Sequence, residues 1–218
     1  MNDWIIDGRY DFSIPEAQRL SDLSSINSDL EAVIRICNRC EITSIELHKA
    51  SPSLSWMEEQ EVLGDLKFAA VIRYGRTIGS GVRQSIPLDW IEALPDSSRE
   101  AHQYFKALRD KYVAHSVSQL EDNQVFVMLS PQFSEDQQPS HVTVDKGRLL
   151  TLGSGDIASL RTLAQELLKT VLREIELEKE RLLMLARQMP LEKIKARGAD
   201  SLPIPTSKHA FKIRRSFK

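Results

Sequence analysis

The sequence predicts a mainly α protein, a bundle of four to five helices with a small β-hairpin inserted before a long C-terminal helix. Three observations carry this. Apolar residues recur at three- and four-residue steps, as in Leu20, Leu23, Leu30, Val33, Ile34 and Cys37, the spacing that gathers side chains on one face of a helix. Between about residues 124 and 152 the period changes to two: Val125, Val127 and Leu129 alternate with Phe126 and Met128, and Val142 alternates with Val144 after a polar loop, as strands require. From Asp156 the helical period returns and runs to Met189, with Leu168, Ile175, Leu182 and Met189 spaced as heptads.

Taken in order, residues 1–14 contain Trp4, Ile5 and Ile6 without a sustained period and read as an arm that packs or frays. A helical domain spans 15–189. Pro15 suits a first helical turn, and the long helix it opens ends before Pro52. Ser55 is the expected N-cap of a second helix through Leu63, Leu66, Ala69, Ala70 and Val71. After Pro87, residues 88–94 form a short helical turn. Asp96 and Ser97 then offer caps for a helix from about Ser98, with Glu100 near the third position of a capping box; Tyr104, Leu108, Tyr112 and Val113 are its expected core-facing residues. The hairpin, about 124–152, encloses a polar loop over residues 134–140. A two-stranded sheet is marginal alone, so it is expected to lean on the helices. The long helix, about 156–189, looks like a bundle element in its first half. Its second half, rich in Glu, Lys and Arg, either packs as an ordinary bundle helix or projects toward another chain. Residues 190–218 read as a flexible basic tail, whose Lys208, Lys212, Arg214, Arg215 and Lys218 attract RNA or merely solubilise.

The formal net charge is −2, from 29 basic and 31 acidic residues, so any surface for nucleic acid has to be local. Cys37 and Cys40 stand three apart on a helical pattern. A metal site would want more ligands and a redox pair a preceding strand, so they read as buried small apolar residues, and neither a metal nor a cofactor is expected. No signal peptide and no uncharged apolar run approaching about 18 residues is seen, so a cytoplasmic protein without a membrane span is expected.

Two stretches carry chemistry. In residues 73–83, Arg73, Arg76 and Arg83 fall within about 80° of one another if the segment is helical, a basic stripe interrupted by Gly75, Gly79 and Gly81. Either these arginines contact phosphates, or they pair with Glu58, Glu61 or Asp65 beside glycines that allow close packing. The second stretch is Arg109-Asp110-Lys111-Tyr112-Val113-Ala114-His115-Ser116. An arginine, a polar residue and a histidine, with five residues between the arginine and the histidine, resemble the signature of the HEPN superfamily. The flanking Ala107-Leu108-Arg109 and Val113-Ala114-His115-Ser116 are similar to its abortive-infection and toxin branch.

That resemblance implies a metal-independent endoribonuclease of HEPN type, acting in phage defence or as a toxin and leaving a cyclic phosphate end. His115 is then the group that takes the proton of the attacking ribose 2′-hydroxyl, since imidazole exchanges protons near neutral pH. Arg109 is the group that meets the charge of the phosphorane, because its planar fork suits phosphate oxygens. Asp110, Tyr112, Ser116 and His102 are supporting residues, and Arg73, Arg76, Arg83 and Lys111 contact RNA or phosphate. His102 reads as a partly buried helix histidine, a second proton donor or a phosphate contact. On a straight helix Arg109 and His115 point about 120° apart and stand about 9 Å apart along the axis. Either the helix breaks between them, or two copies build a composite site across a two-fold axis; the resemblance implies the second, a homodimer.

Other readings stay open beside this one. Arg109, Asp110 and Lys111 facing outward and Leu108, Tyr112 and Val113 facing inward make an ordinary amphipathic helix. HEPN-like chains also include non-catalytic adaptors for RNA, nucleotides or proteins, and toxins neutralised by an antitoxin or other protein partner.

Overall fold

The computed structural model describes residues 10–79, 83–110, 121–129, 139–148 and 152–197. Lys111, Tyr112, Val113, His115 and Ser116, the first nine residues, most of the loop between the strands and the tail from residue 198 lie outside the described residues.

The architecture is mainly helical with one two-stranded antiparallel hairpin. A short 3-10 turn, Pro15–Ala17, leads into α1 (Gln18–Lys49), followed by α2 (Leu54–Ile78), α3 (Leu88–Glu92) and α4 (Asp96–Leu108). The hairpin of β1 (Glu121–Leu129) and β2 (Pro139–Arg148) precedes α5 (Ser154–Gln188) and α6 (Leu191–Lys195). α1 packs between α2 and α5. Its Leu23, Ile26, Leu30, Val33 and Cys37 share one core with Val71 and Tyr74 of α2, Phe105 and Leu108 of α4, and Leu160, Leu163, Leu167 and Val171 of α5. Aliphatic side chains of this kind each contribute about 1.5–3 kcal/mol when fully buried. Cys37 and Cys40 are both buried free thiols, and burial next to Cys40 pushes the Cys37 thiol up to about 12.

Several local expectations change. Ser53, not Ser55, caps α2: its hydroxyl accepts from the Trp56 N–H at 3.2 Å, while Ser55 lies inside the first turn. The Trp56 indole N–H closes the corner on the Leu47 carbonyl at 3.0 Å. α4 starts at Asp96, directly after Pro95, with no side-chain cap; the Pro95 carbonyl accepts from the N–H groups of Ser98 and Arg99 instead. Tyr104 is 43% exposed, and Ala101, His102 and Phe105 fill the core-facing positions with Leu108. At the arm, Ile14 packs with Ala17 and Leu182. Arg19 binds Glu174 and Glu178 of α5, so the charged half of α5 is met by the start of α1. Beyond Pro190 the chain forms α6, in which the N–H groups of Lys193 and Ile194 donate to the Pro190 carbonyl.

The hairpin forms in the alternating register the period of two dictates, Val125 opposite Val144 and Val127 opposite Val142. The expected support does not follow: Val125, Val127, Leu129, Val142 and Val144 on one face, and Phe126 and Met128 on the other, are all exposed. Alternation is a property of the ribbon itself, and it builds the ladder whether or not a described helix covers either face. Among the described residues no helix is long and apolar enough to cross a membrane.

Candidate functional site

The two stretches singled out in the sequence meet where the end of α2 crosses the end of α4. Tyr74 and Gly75 lie one turn before the α2 terminus, and Gly79 follows on the same face as Gly75, since positions i and i+4 stack. A Cβ built on Gly75 would stand 2.7 Å from Cγ of Arg109, and one on Gly79 would stand 2.5 Å from its Nη2. The two glycines therefore make a trough in which the Arg109 side chain lies flat against the helix backbone. The side chain is 29% exposed, and its guanidinium pairs with Asp110. At Arg109 and Asp110 the α-winding loosens into a π-type turn, a distortion often found at functional sites.

One residue toward the core, the Tyr74 hydroxyl sits 2.6 Å from Nδ1 of His102. Burial pushes the Tyr74 phenol upward, so it stays protonated and shares a hydrogen bond with His102 whose donor is set by the imidazole tautomer. Burial, and then the nearby charge of Lys106, hold the His102 imidazole below its usual range. His102 is a buried side chain, which favours the helix-histidine reading over a phosphate contact. The consequence for stability has a definite sign. Below a pH of about 6.5 the unfolded histidine takes up a proton that the fold resists. Stability should be fully present above that pH and decline as acidification passes through it. Melting temperatures of wild type and His102→Gln between about pH 7.5 and 5.5 check this: glutamine leaves an acceptor for Tyr74 and should flatten the decline.

The arginines converge, but on a residue the sequence reading did not single out. Asp29 of α1 is 3% exposed and binds Arg73 Nη1 at 3.0 Å, Arg83 Nη1 at 2.9 Å and Arg76 Nε at 3.3 Å. Glu58, Glu61 and Asp65 are not their partners. α2 ends before Arg83 is reached, so no continuous helical stripe joins the three; the buried carboxylate does. The chain after α2 is laid back to make this possible: Gln84 N–H donates to Asp22 at 3.2 Å and Ile86 N–H to the Thr77 carbonyl at 2.8 Å. Arg83 also donates to the Arg76 carbonyl. Three guanidiniums against one carboxylate leave a local excess of two positive charges, with Arg73 46% and Arg76 58% exposed. A readable signal did exist. Asp22, Ile26, Asp29 and Val33 follow one helical seam, and an acid in an apolar seam demands a cationic partner.

The fold and this region define a mainly helical chain in which the end of α2 meets Arg109 through Gly75 and Gly79 and gathers three further arginines on Asp29 of α1. Compared with protein-family models, characterised proteins and solved structures, the chain matches none.

Proposed function

We propose that this chain is an endoribonuclease of HEPN type, working without a metal, and that the junction of α2 and α4 holds its RNA. The observation that carries the reading is the seating of Arg109 against Gly75 and Gly79 of α2, the helix whose Arg73 and Arg76 are gathered on Asp29. A side chain seated in a trough of two glycines and left partly exposed is a way to preorganise a charge for a phosphate. In the proposed reaction His115 removes the 2′-hydroxyl proton, that oxygen attacks the adjacent phosphorus, and the bond to the 5′-oxygen breaks as that oxygen takes a proton from water and leaves as a hydroxyl. Arg109 offsets the charge on the non-bridging oxygens, and Asp110 orients Arg109. Two copies contribute their motifs to one cleft.

A second reading is favoured by the ion pairs themselves. Arg73, Arg76 and Arg83 are held by Asp29, and Arg109 by Asp110, an arrangement that also serves a chain that binds RNA, a nucleotide or a protein without cutting. Mixed RNA incubated with the purified chain in excess chelator separates the two. Cleavage that disappears in both Arg109→Ala and His115→Ala supports the nuclease. Binding that persists in His115→Ala, with no cleavage by wild type, supports the adaptor, and cleavage unchanged in both variants removes the proposed site.

A further inference from the structure

At the opposite end of α1 from Asp29, a cleft of about 200 Å³ opens between α1, α2 and α5. Eleven or more residues of helix, about 16 Å of rise, separate it from the arginine cluster, so the two are distinct. Its walls are apolar where Ile45 of α1 meets Ile157 and Ala158 of α5. Its charge comes from three groups: Lys67 of α2, Arg161 of α5 and Glu41 of α1.

These charges are not equivalent. Arg161 is occupied by Glu41 and by the Asn38 side-chain oxygen. Lys67 is partly buried and has no carboxylate partner among the described residues. Cys40, also in the lining, adds no charge, because burial raises its thiol above the usual range. The cleft therefore carries one uncompensated positive charge against a hydrocarbon wall. An ammonium beside a hydrocarbon wall, with no carboxylate on it, attracts an anion more strongly than it would in open water, so a ligand carrying one negative charge suits it. The volume bounds the rest of that ligand: an apolar cavity of about 150 Å³ accommodates benzene, so one aromatic ring, or a branched chain of similar bulk, together with a carboxylate fills the space.

We propose that this cleft is a binding site for a small monocarboxylate with an apolar body of about benzoate size, its carboxylate on Lys67 and its body against Ile45, Ile157 and Ala158. Charge and shape select together. An uncharged analogue loses the ammonium contact, a cationic one meets repulsion, and a compact inorganic anion leaves the apolar wall uncovered.

The test uses the full chain and four probes: benzoate, benzyl alcohol, benzylammonium and inorganic phosphate, each titrated by calorimetry or ligand-observed NMR. Benzoate should bind saturably, and the other three at least about tenfold more weakly, the ratio one charge-assisted hydrogen bond carries. Lys67→Met should weaken benzoate by a similar factor while leaving the melting temperature of the free protein nearly unchanged. Ala158→Leu, which fills the cleft from α5, should weaken benzoate and benzyl alcohol alike. Absence of saturable benzoate binding to wild type overturns the proposal without needing either variant. So does equal binding of benzoate and benzylammonium, or benzoate affinity unchanged in both Lys67→Met and Ala158→Leu.

Discussion

Asp29→Ala is expected to cost about 2–3 kcal/mol of folding stability, read as a lower urea midpoint at unchanged slope. The carboxylate is 3% exposed and holds three guanidiniums, so its removal leaves like charges converging on an apolar seam. Breaking a buried ion pair from one side costs about 3–5 kcal/mol. The lower figure applies because Arg73 and Arg76 are about half exposed and can turn into water, where an ion pair contributes little. Arg83 cannot escape so readily: it is 18% exposed and tied to the Arg76 carbonyl. Asp29→Asn, which keeps the shape and loses the charge, should recover only part of the loss. Arg73→Ala should cost less than either, since Arg76 and Arg83 still compensate the acid. An Asp29→Ala protein as stable as wild type would mean that the three arginines gain nothing from their buried partner.

Gly75→Ala and Gly64→Ala, two identical changes within α2, should move stability in opposite directions. Alanine in a helix interior is favoured over glycine by about 1 kcal/mol. At Gly64 nothing lies within 4 Å of a new Cβ, so Gly64→Ala should stabilise by about 0.5–1 kcal/mol. At Gly75 the new methyl would stand 2.7 Å from Arg109 Cγ, an atom near the root of that side chain, which cannot swing aside unless α4 shifts. Overpacking of this kind costs about 1–3 kcal/mol, enough to cancel the propensity gain and leave a net loss. Denaturant unfolding of both variants measures the difference. Gly79→Ala is a gentler case, because its Cβ would meet the movable guanidinium end of Arg109 at 2.5 Å and stand 3.2 Å from the Gly75 carbonyl oxygen. It should displace that group with little loss of stability, and under the nuclease proposal it should reduce RNA cleavage. Equal stabilisation by Gly64→Ala and Gly75→Ala would show that Arg109 does not occupy the trough.

Much of the fold can be read directly from the chain. The step pattern of Leu23, Ile26, Leu30 and Val33 is a helix stripe in any surroundings, and all four are buried. The pairing of Val125 with Val144 follows from alternation in the same way. Capping was legible only to within a few residues, because Ser53 and Ser55 are chemically equal candidates, and only the turn geometry decides which hydroxyl meets the Trp56 N–H. The exposure of both hairpin faces was not legible, since the pattern states which residues share a face and not what lies opposite it.

The candidate site divides along the same line. That Arg109 and Arg73 are unusual could be seen from residue types and from the glycines among them. That the two stretches touch could not, because α4 had to cross α2 at Gly75 and Gly79 for Arg109 to reach them. Asp29 is the clearest instance: its partners Arg73 and Arg83 lie 44 and 54 positions away. Periodicity arises from backbone geometry within a few residues and so is present in the string of letters. Ion pairing across such separations arises from the packing of whole helices, where burial of one carboxylate selects its partners by distance and not by order along the chain.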